Sequence, residues 1–524
     1  MSKNRLILLA ALFLGFMACT IPQPNHGGLS TNDRELPGHE YWNNHLQRDL
    51  IPFWASSEAT AEKGIFPTFR FDDGVQVSVT NQEEYERIAI RNGASWIVDL
   101  MGHEYIRTHA RQTFAYGVAF HATGNFEYLS LMREGVYWSI KNSFDEKGAL
   151  TSTDDLLKRT AQDQAYSLIG LAFYYYLTRD QSVLDAILKQ HQIILRDYGV
   201  FDDEGSLIGI KWLQNDTQMT ELVAILDQLN AYMVLLTPIL PEPYSSEWKI
   251  TIGHLCHTML DNFYVNELSV RGKNHEVQSF WGNLNDKVPG GRHFDFGHSV
   301  KTWWMIYLSG IIVGDQELIG LGRSGMEFLI EKAYLPGPVF SEASQERYGK
   351  PFLQELNNQS SWGEKFLFPE KDQWWSKDGI SIGQQWWIHC ELDQAAATCA
   401  LENKKHVHNL IKTSHFFVDH YVDNTCGGVW HSLNPATLKP EGMKVHAWKN
   451  AYHSFEHALI LSIVSQFLKG ESITLYYAIP SEKLDDSILQ PYYFQGAATD
   501  IRYGTLNMQG EIMESVKFSH PEHF

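Results

Sequence analysis

Cysteine and basic residues are scarce in this 524-residue chain. Four of the five cysteines follow the N-terminal segment (Cys256, Cys390, Cys399 and Cys426), and none stands in a C-x-x-C pair. We interpret these four as buried thiols, although export would permit a disulfide. Only 42 Lys and Arg oppose 62 Asp and Glu, which gives a formal charge of -20. This balance excludes a nucleic-acid partner, whose phosphates need a basic face, and disfavours a strongly anionic polymer.

The first residues have the character of an export signal. Lys3 and Arg5 precede an apolar run from Leu6 to Met17, which is too short for a comfortable transmembrane helix. The run leads into Phe-Met-Ala-Cys, ending at Cys19, which resembles a bacterial lipobox. We therefore predict a lipoprotein signal peptide over 1–18, a lipid attached to Cys19, a tether over 19–37, and a periplasm-facing location in the bacterial cell envelope. The alternative is an ordinary cleaved signal with a chance cysteine.

Hydrophobic periodicity predicts an almost wholly helical chain between residues 38 and 470, with strand-like alternation only in short pieces such as Val75–Thr80. The predicted helices are 38–55, 84–101, 103–122, 126–143, 160–178, 180–197, 218–236, 243–266, 296–313, 315–333, 384–401, 403–420 and 449–468. With 84–101 set aside as an insertion, twelve remain, which favours six hairpins closed into an all-α (α/α)6 toroid. A small β-rich extension is predicted over 471–524, with strands at Ile473–Ala478, Gln490–Phe494 and Ile501–Gln509.

The predicted inner helices each carry polar residues at their N-terminal ends. These residues are Arg107, His109, Arg111 and Gln112; Asp163, Gln164 and Tyr166; Asp227 and Asn230; Asp295 and His298; His389 and Glu391; and Lys449, Tyr452, His453, Glu456 and His457. A lone histidine on an apolar helix is usually a hydrogen-bonded core residue. A satisfied core does not need so many ionisable groups, because each costs desolvation energy unless it is paired. The convergence therefore predicts an active site at one end of a central cavity. The 16 Trp and 24 Tyr are either core residues or platforms for sugar rings.

Several of these segments resemble the N-acylglucosamine 2-epimerase family, in the family's order and over roughly residues 40 to 468. The matching segments are Asn44–Trp54, Gly64–Thr68, Arg107–Phe114, Asp163–Tyr166, Gly297–His298, Trp386–Trp387 with Glu391, and Lys449–His453. The resemblance implies a sugar 2-epimerase or aldose–ketose isomerase that works at the reducing end of a mono- or oligosaccharide. It further implies a reaction without metal or cofactor, in which histidines move a proton through a cis-enediol.

By the same resemblance, His298 and His453 are the acid–base pair and Arg111 stabilises the enediolate. The substrate-binding residues are then Asp163, Asp227, Asn230, Trp386, Trp387, Glu391, Lys449 and Tyr452. Histidine suits the task because its pKa lies near neutrality. The expected partner is a small sugar, with a membrane contact only through the lipid anchor. Oligomeric state, substrate length and the choice between epimerase and isomerase stay open.

Four positions depart from the family pattern. The third inner helix carries Asp227 and Asn230 where relatives have His and Glu. The acid expected three residues after His298 is Lys301, and the Arg expected three residues after His453 is Glu456. These two reversed charges either form a swapped ion pair between the fourth and sixth inner helices or mark a loss of epimerase chemistry. Asp227 could still act as an acid–base group if burial raised its pKa.

Three other functions remain open. The carboxylates Asp163, Asp227, Asp295, Glu391 and Glu456 could serve an inverting glycoside hydrolase on the same toroid. The segment His453–His457 fits the H-x-x-E-H pattern of a metal hydrolase, although such a site needs a further acidic ligand downstream. A non-catalytic sugar-binding lipoprotein is the third alternative, and the joint presence of Arg111, His298 and His453 argues against it.

Overall fold

The computed structural model describes residues 35–60, 64–270, 273–285, 296–333, 367–370, 373–376, 384–433, 438–480, 483, 489–506 and 512–520. The predicted signal peptide, Cys19, most of the tether and Asp295 lie outside the described residues.

Six helices form the inner layer of the described chain, and they are buried along most of their length because they are apolar on nearly every side. They are Ile106–Thr123; Ala161–Tyr166 with Ile169–Thr178; Leu222–Gln228 with the π-helical Leu229–Met233 and Val234–Leu236; Phe296–Val313; Trp386–Glu402; and Tyr452–Leu468. We number them inner helices one to six. Each packs against the next, and the sixth packs against the first, which closes the ring.

The outer layer consists of amphipathic helices that cover the ring. Its members are His39–His45 with Leu46–Leu50 and Ile51–Trp54; Phe126–Asn142; Gln181–Tyr198; Tyr244–Asn262; Gln316–Ala333; and Lys404–His406 with Val407–Phe416 and Phe417–Tyr421. In Phe126–Asn142, the buried residues Leu129, Met132 and Val136 recur at helical spacing and face the inner layer. The side chain of Asn125 accepts a hydrogen bond from the backbone of Glu127 and so caps this helix. Apart from the insertion, the predicted helices agree closely with those observed.

The predicted helix over 84–101 is wrong as a single element. The structure has the helix Gln82–Arg91 followed by a separate 3-10 helix, Ser95–Leu100. Gly93 stands between them at a φ of 75°, a conformation that an ordinary side chain strains, and so ends the first helix. In these two helices, here called the insertion, Tyr85 and Ile97 form a small separate core together with Phe69, Tyr105 and Met443 from neighbouring segments.

The thiols also differ in part from the prediction. Cys256, Cys390 and Cys399 are buried and free as expected, but Cys426 is exposed. It lies in a turn held by Asp423, whose carboxylate accepts backbone hydrogen bonds from Thr425 and Cys426. Local hydrogen bonding, rather than packing of the thiol, therefore determines its position.

Short antiparallel strands connect the helices. They pair as Phe144–Asp145 with Gly148–Ala149, Gly199–Phe201 with Leu207–Ile210, Tyr264–Val270 with Lys273–Phe280, and Leu367–Glu370 with Gln373–Ser376. In a further sheet, Ser432–Leu433 lies between Gln384–Gln385 and Pro440–Glu441 and pairs with both. The predicted strand at Val75–Thr80 is instead a turn, with a single bridge between Arg70 and Gln76.

The C-terminal extension forms a three-stranded sheet in which Ile512–Ser519 lies between Ile473–Tyr477 and Ala497–Leu506. The strand predicted at Gln490–Phe494 is wrong, because that segment turns at Tyr492, whose φ is 55°. Tyr492 and Tyr493 point their rings into the toroid instead. The hydroxyl of Tyr492 donates a hydrogen bond of 2.8 Å to Glu456, so the extension reaches into the ring itself.

Among the described residues, one helical stretch, Leu222–Ile239, is long and apolar enough to cross a membrane. Its residues are 94% buried within the protein, because it forms inner helix three.

Replacing Tyr492 with Phe should lower the free energy of unfolding by about 1.5–3 kcal/mol, because Glu456 loses a charge-assisted hydrogen bond within the core. Urea denaturation followed by circular dichroism measures the change. Tyr503→Phe is the matched control, since Tyr503 is 56% exposed in the same extension, and it should stay within about 0.5 kcal/mol of wild type. Equal stability of the two variants would contradict the idea that the contact of Tyr492 with Glu456 stabilises the toroid.

Candidate active site

One cavity of about 880 Å³ opens at the N-terminal ends of the inner helices. Every inner helix contributes to its lining, as the convergence of polar residues predicts. The predicted residues that line it are Arg111, Asp227, Asn230, His298, Trp386, Trp387, Glu391 and His453. The cavity thus brings the two candidate histidines and the candidate arginine to one space.

His453 is oriented by a carboxylate from the neighbouring inner helix. Its Nδ1 lies 3.0 Å from Oε1 of Glu391. Because an ionised carboxylate can only accept, this contact assigns the proton to Nδ1 and leaves Nε2 as the basic nitrogen. Burial, together with the positive charges of Arg111 and Lys301, holds the pKa of His453 well below its usual range. The ring is therefore neutral near pH 7, the form that a proton-abstracting base needs.

Lys301 lies between two buried carboxylates. Its Nζ is 3.0 Å from Oε2 of Glu391 and 3.4 Å from Oε2 of Glu456. The hypothesis of a swapped ion pair between the fourth and sixth inner helices therefore agrees with the geometry, although the shorter contact is to the fifth helix. Burial opposes the charge on Lys301, but the two carboxylates raise its pKa above the ordinary value.

His298 and His453 share an aromatic neighbour. The ring centroid of Trp387 lies 4.9 Å from that of His298 and 5.9 Å from that of His453. The indole packs so tightly against Gly297 that a Cβ there would lie 2.4 Å from the ring. Glycine before His298 is thus required for the close approach of inner helices four and five.

The third inner helix presents Asp227 to the cavity. Its carboxylate accepts hydrogen bonds from Gln162 at 2.8 Å and from the hydroxyl of Tyr166 at 2.7 Å. The guanidinium of Arg111 stacks 3.6 Å from the ring centroid of Tyr166. Burial raises the pKa of Asp227, although these two hydrogen bonds and the charge of Arg111 oppose the rise. The next turn, Leu229–Met233, is π-helical and carries Asn230, and such turns often occur at functional sites.

Three of the predicted substrate-binding residues do not line the cavity. Asp163 lies 3.1 Å from Arg107 and accepts a hydrogen bond from Thr160, the residue that caps its own helix. Lys449 is buried with its Nζ 4.3 Å from the centroid of Trp386, and burial lowers its pKa to about 7. The hydroxyl of Tyr452 donates to the side chain of Asn230 at 3.2 Å. These residues support the lining from behind and do not form part of it.

The other helix-end histidines are structural. His109 contacts the carbonyl of Gly64 at 2.6 Å, and burial lowers its pKa to about 4. His389 contacts the carbonyl of Thr413 at 3.0 Å. His457 lies 2.9 Å from Asp393, whereas His453 contacts Glu391, so the two histidines of the H-x-x-E-H segment face different partners. Within the described residues, no group of three or more His, Cys, Asp or Glu side chains has the arrangement of a metal site.

Sequence reasoning missed part of the lining. Gln162, which donates to Asp227 from the second inner helix, was not predicted at all. Tyr166 was among the converging polar residues, but the substrate-binding role was predicted for Asp163 and not for Tyr166, which also donates to Asp227. Trp96 belongs to the insertion, which was set aside, and Trp448 precedes the sixth inner helix. The spacing of Gln162 and Tyr166, one helical turn apart, places both on one face of the second inner helix and could have predicted the pair.

The chain matches no family model and no curated protein sequence. Solved structures that are similar include the cellobiose 2-epimerase from Bacillus thermoamylovorans B4167, at a TM-score of 0.57 and 15% identity, over 82% of this chain and 99% of that chain. The cellobiose 2-epimerase from Spirochaeta thermophila DSM 6192 has a TM-score of 0.55 and 14% identity, over 82% and 96%. A D-mannose isomerase has a TM-score of 0.58 and 12% identity, over 83% and 99%. These similarities confirm the predicted (α/α)6 toroid.

Replacing Lys301 with Met should destabilise the protein by about 3–5 kcal/mol at neutral pH, because Glu391 and Glu456 would remain buried without their cation. Burial already raises the pKa of Glu391, and loss of Lys301 removes a charge that lowers it. A carboxyl whose pKa is higher in the folded state than in the unfolded state binds more protons when the protein is folded. The free energy of unfolding therefore falls as pH rises above the pKa that the carboxyl has in the unfolded state. The destabilisation caused by Lys301→Met should therefore be smallest near about pH 4 and should grow towards pH 7.

The matched control is Lys405→Met. Lys405 is 47% exposed and lies 3.5 Å from both Glu327 and Glu331, so the change should cost less than about 1 kcal/mol at any pH. Urea titrations of both variants between these pH values provide the measurement. A Lys301→Met loss that does not depend on pH would contradict the buried cluster.

Proposed function

We propose that this chain is a sugar 2-epimerase or aldose–ketose isomerase that acts at the reducing end of its substrate. The observation that carries the proposal is the placement of His298 and His453 beside one aromatic ring, Trp387, in a cavity that Arg111 also lines. The cellobiose 2-epimerases and the D-mannose isomerase that share this fold support the reaction class.

The proposed reaction begins with the open-chain sugar. One histidine removes the proton from C2, the electron pair of the C–H bond forms the C1–C2 double bond, and the carbonyl oxygen takes the negative charge. His453 suits this step because Glu391 holds its Nδ1 and leaves Nε2 basic. Arg111 supplies a positive charge for the developing enediolate. Return of a proton to the other face of C2, with the C1 carbonyl re-formed, yields the epimer. Return of a proton to C1 yields the isomer, provided that the proton of the C2 hydroxyl passes to the oxygen on C1 and leaves a carbonyl at C2.

Ring opening needs a group that exchanges a proton with the ring oxygen or the anomeric hydroxyl. Asp227 is the candidate, because burial raises its pKa and it lines the same cavity. A carboxyl that holds its proton closer to neutrality can donate it to the ring oxygen. Asp227 would thereby take the place of the histidine that relatives carry.

Proton exchange at C2 in D2O tests the proposal. Wild-type protein should incorporate deuterium at C2 of a reducing sugar, as seen by NMR across a panel of mono- and disaccharides. His298→Ala and His453→Ala should each slow incorporation by at least about a hundredfold, because general acid–base catalysis contributes about that much or more. His408→Ala, an exposed histidine on an outer helix, should exchange as wild type does.

Two results would reject this function. Incorporation that survives in both active-site variants would show that these histidines are not the bases. Release of a new reducing end without exchange at C2 would instead favour a glycoside hydrolase that uses Asp227 and Glu391.

We also propose that the chain is exported and anchored through a lipid on Cys19. The support is the sequence alone, since the basic residues, apolar run and terminal cysteine have the order of a lipoprotein signal. When the full chain is expressed in bacteria with a palmitate label, it should carry the label and sediment with membranes. Cys19→Ala should lose both properties, and Cys426→Ala, which removes the exposed thiol, should keep them. A labelled Cys19→Ala variant would refute the anchor.

A further inference from the structure

The C-terminal extension holds one tyrosine firmly inside the ring. Tyr492 is buried, and its backbone amide donates a hydrogen bond of 2.9 Å to the hydroxyl of Tyr176 on the second inner helix. The hydroxyls of Tyr176 and Tyr477 both donate to the carbonyl of Gln490, two residues before Tyr492. These bonds fix the turn at residue 492, so the side chain of Tyr492 enters the ring at a defined place.

Four successive polar contacts lead from Tyr492 to the candidate base. The hydroxyl of Tyr492 donates to Oε1 of Glu456 at 2.8 Å, and Oε2 of Glu456 lies 3.4 Å from Nζ of Lys301. The same Nζ lies 3.0 Å from Oε2 of Glu391, whose Oε1 lies 3.0 Å from Nδ1 of His453. We call these five residues the polar network. The four residues before His453 are buried, so solvent screens the interactions between their charges only weakly.

Lys301 is the cation that two carboxylates share. One ammonium cannot compensate both negative charges, so Glu391 and Glu456 compete for it. The hydrogen bond from Tyr492 is charge-assisted and offsets part of the charge on Glu456. The amide of Gln394 donates to Glu456 at 3.5 Å or, in the flipped orientation, to Glu391 at 3.2 Å, so it is not a strong partner of Glu456. Tyr492 therefore weakens the attraction of Glu456 for the ammonium, which agrees with the shorter distance from Lys301 to Glu391.

Charged and titratable groups face His453 or its partner Glu391 from several elements. They are Arg111, His298, Lys301, Glu391, Lys449 and Glu456, from inner helices one, four, five and six and the segment before the sixth. Burial and the positive charges of Arg111 and Lys301 lower the pKa of His453, whereas the charge of Glu456 raises it. A displacement of Lys301 therefore changes the protonation of His453.

We propose that Tyr492 is a positioning residue for the candidate base: its hydrogen bond to Glu456 leaves Lys301 at Glu391 and so sets the charge around His453. Tyr492 does not line the cavity, and it acts through Glu456 and Lys301. The role of His453 as a base rests on the proposed function, but the effect of Tyr492 on His453 does not.

Two variants should shift Lys301 in opposite directions. Loss of the hydroxyl in Tyr492→Phe should draw Lys301 towards Glu456. Glu391 is then less compensated and a positive charge lies further from His453, so both effects favour the imidazolium. The pKa of His453 should rise by about one unit, the order of magnitude for a unit charge displaced by a few ångströms in a buried site. Glu456→Gln removes the competing carboxylate, so the pKa of His453 should fall.

Histidine NMR of the full chain measures this effect without requiring activity. In protein with 15N-labelled histidine, the Nδ1 signal of His453 reports the strength of its hydrogen bond to Glu391, and the spectrum of His453→Ala identifies that signal. Near pH 7, the bond should strengthen in Tyr492→Phe and weaken in Glu456→Gln. The reason is that the charge on Glu391 is compensated less in the first variant and more in the second.

Exchange at C2 in D2O then connects the network to the reaction. The acid limb of kcat/KM should lie about one pH unit higher in Tyr492→Phe than in wild type, and the plateau above it should stay within about twofold. A merely structural loss would lower the rate at every pH instead. Burial lowers the pKa of Lys449 to about 7, but neither variant replaces a group that Lys449 contacts.

Tyr307→Phe is the matched control. The hydroxyl of Tyr307 also donates to a glutamate on an inner helix, Glu402, which Arg323 contacts as well, and neither Tyr307 nor Glu402 lines the cavity. This variant should keep the wild-type Nδ1 signal and pH profile.

Three results would overturn the positioning role. They are an unchanged Nδ1 signal in Tyr492→Phe, shifts in the same direction in Tyr492→Phe and Glu456→Gln, and a shift in Tyr307→Phe as large as that in Tyr492→Phe. Opposite shifts in the two network variants, without exchange at C2 by wild type, would retain the positioning role and reject the proposed function.

Discussion

The buried carboxylate of Glu391 is the group on which the candidate site depends, because it joins the ammonium of Lys301 to the imidazole of His453. These three residues belong to inner helices four, five and six. A buried ion pair costs desolvation energy and stabilises only in good geometry, so its main effect here is to fix position. The carboxylate determines which nitrogen of His453 is basic, while Lys301 compensates its charge and keeps the imidazole neutral.

The same cluster connects the site to the C-terminal extension. Lys301 also contacts Glu456, and Glu456 accepts a hydrogen bond from Tyr492. Tyr493 donates to the backbone carbonyl of Asn230, within the π-helical turn of inner helix three. The extension therefore contributes to the interior of the ring through two adjacent tyrosines. The reversed charges at 301 and 456 preserve an interhelical ion pair and, at the same time, provide an acceptor for Tyr492.

Much of the fold and part of the site could be predicted, because the period of apolar residues identifies helices and their N-terminal ends share one side of the ring. Arg111, His298 and His453 line the cavity for that reason. However, a position near a helix end does not determine whether a side chain points into the cavity. Asp163 contacts Thr160, the residue that caps its own helix, and Lys449 packs behind Trp386. Aromatic residues at 490–494 suggest a strand, yet their rings pack inside a ring of helices that local sequence cannot reveal.

Packed aromatic rings position both candidate histidines. Trp386 contacts both His431 on the outer side and His453 on the inner side, so its indole joins the candidate base to the outer lining of the cavity. Gly297 leaves the space in which Trp387 packs between the helices that carry His298 and Glu391, and this packing fixes the position of the indole. Packed rings thus hold the two candidate histidines in place, while Glu391 and Lys301 determine the proton position and the charge of His453.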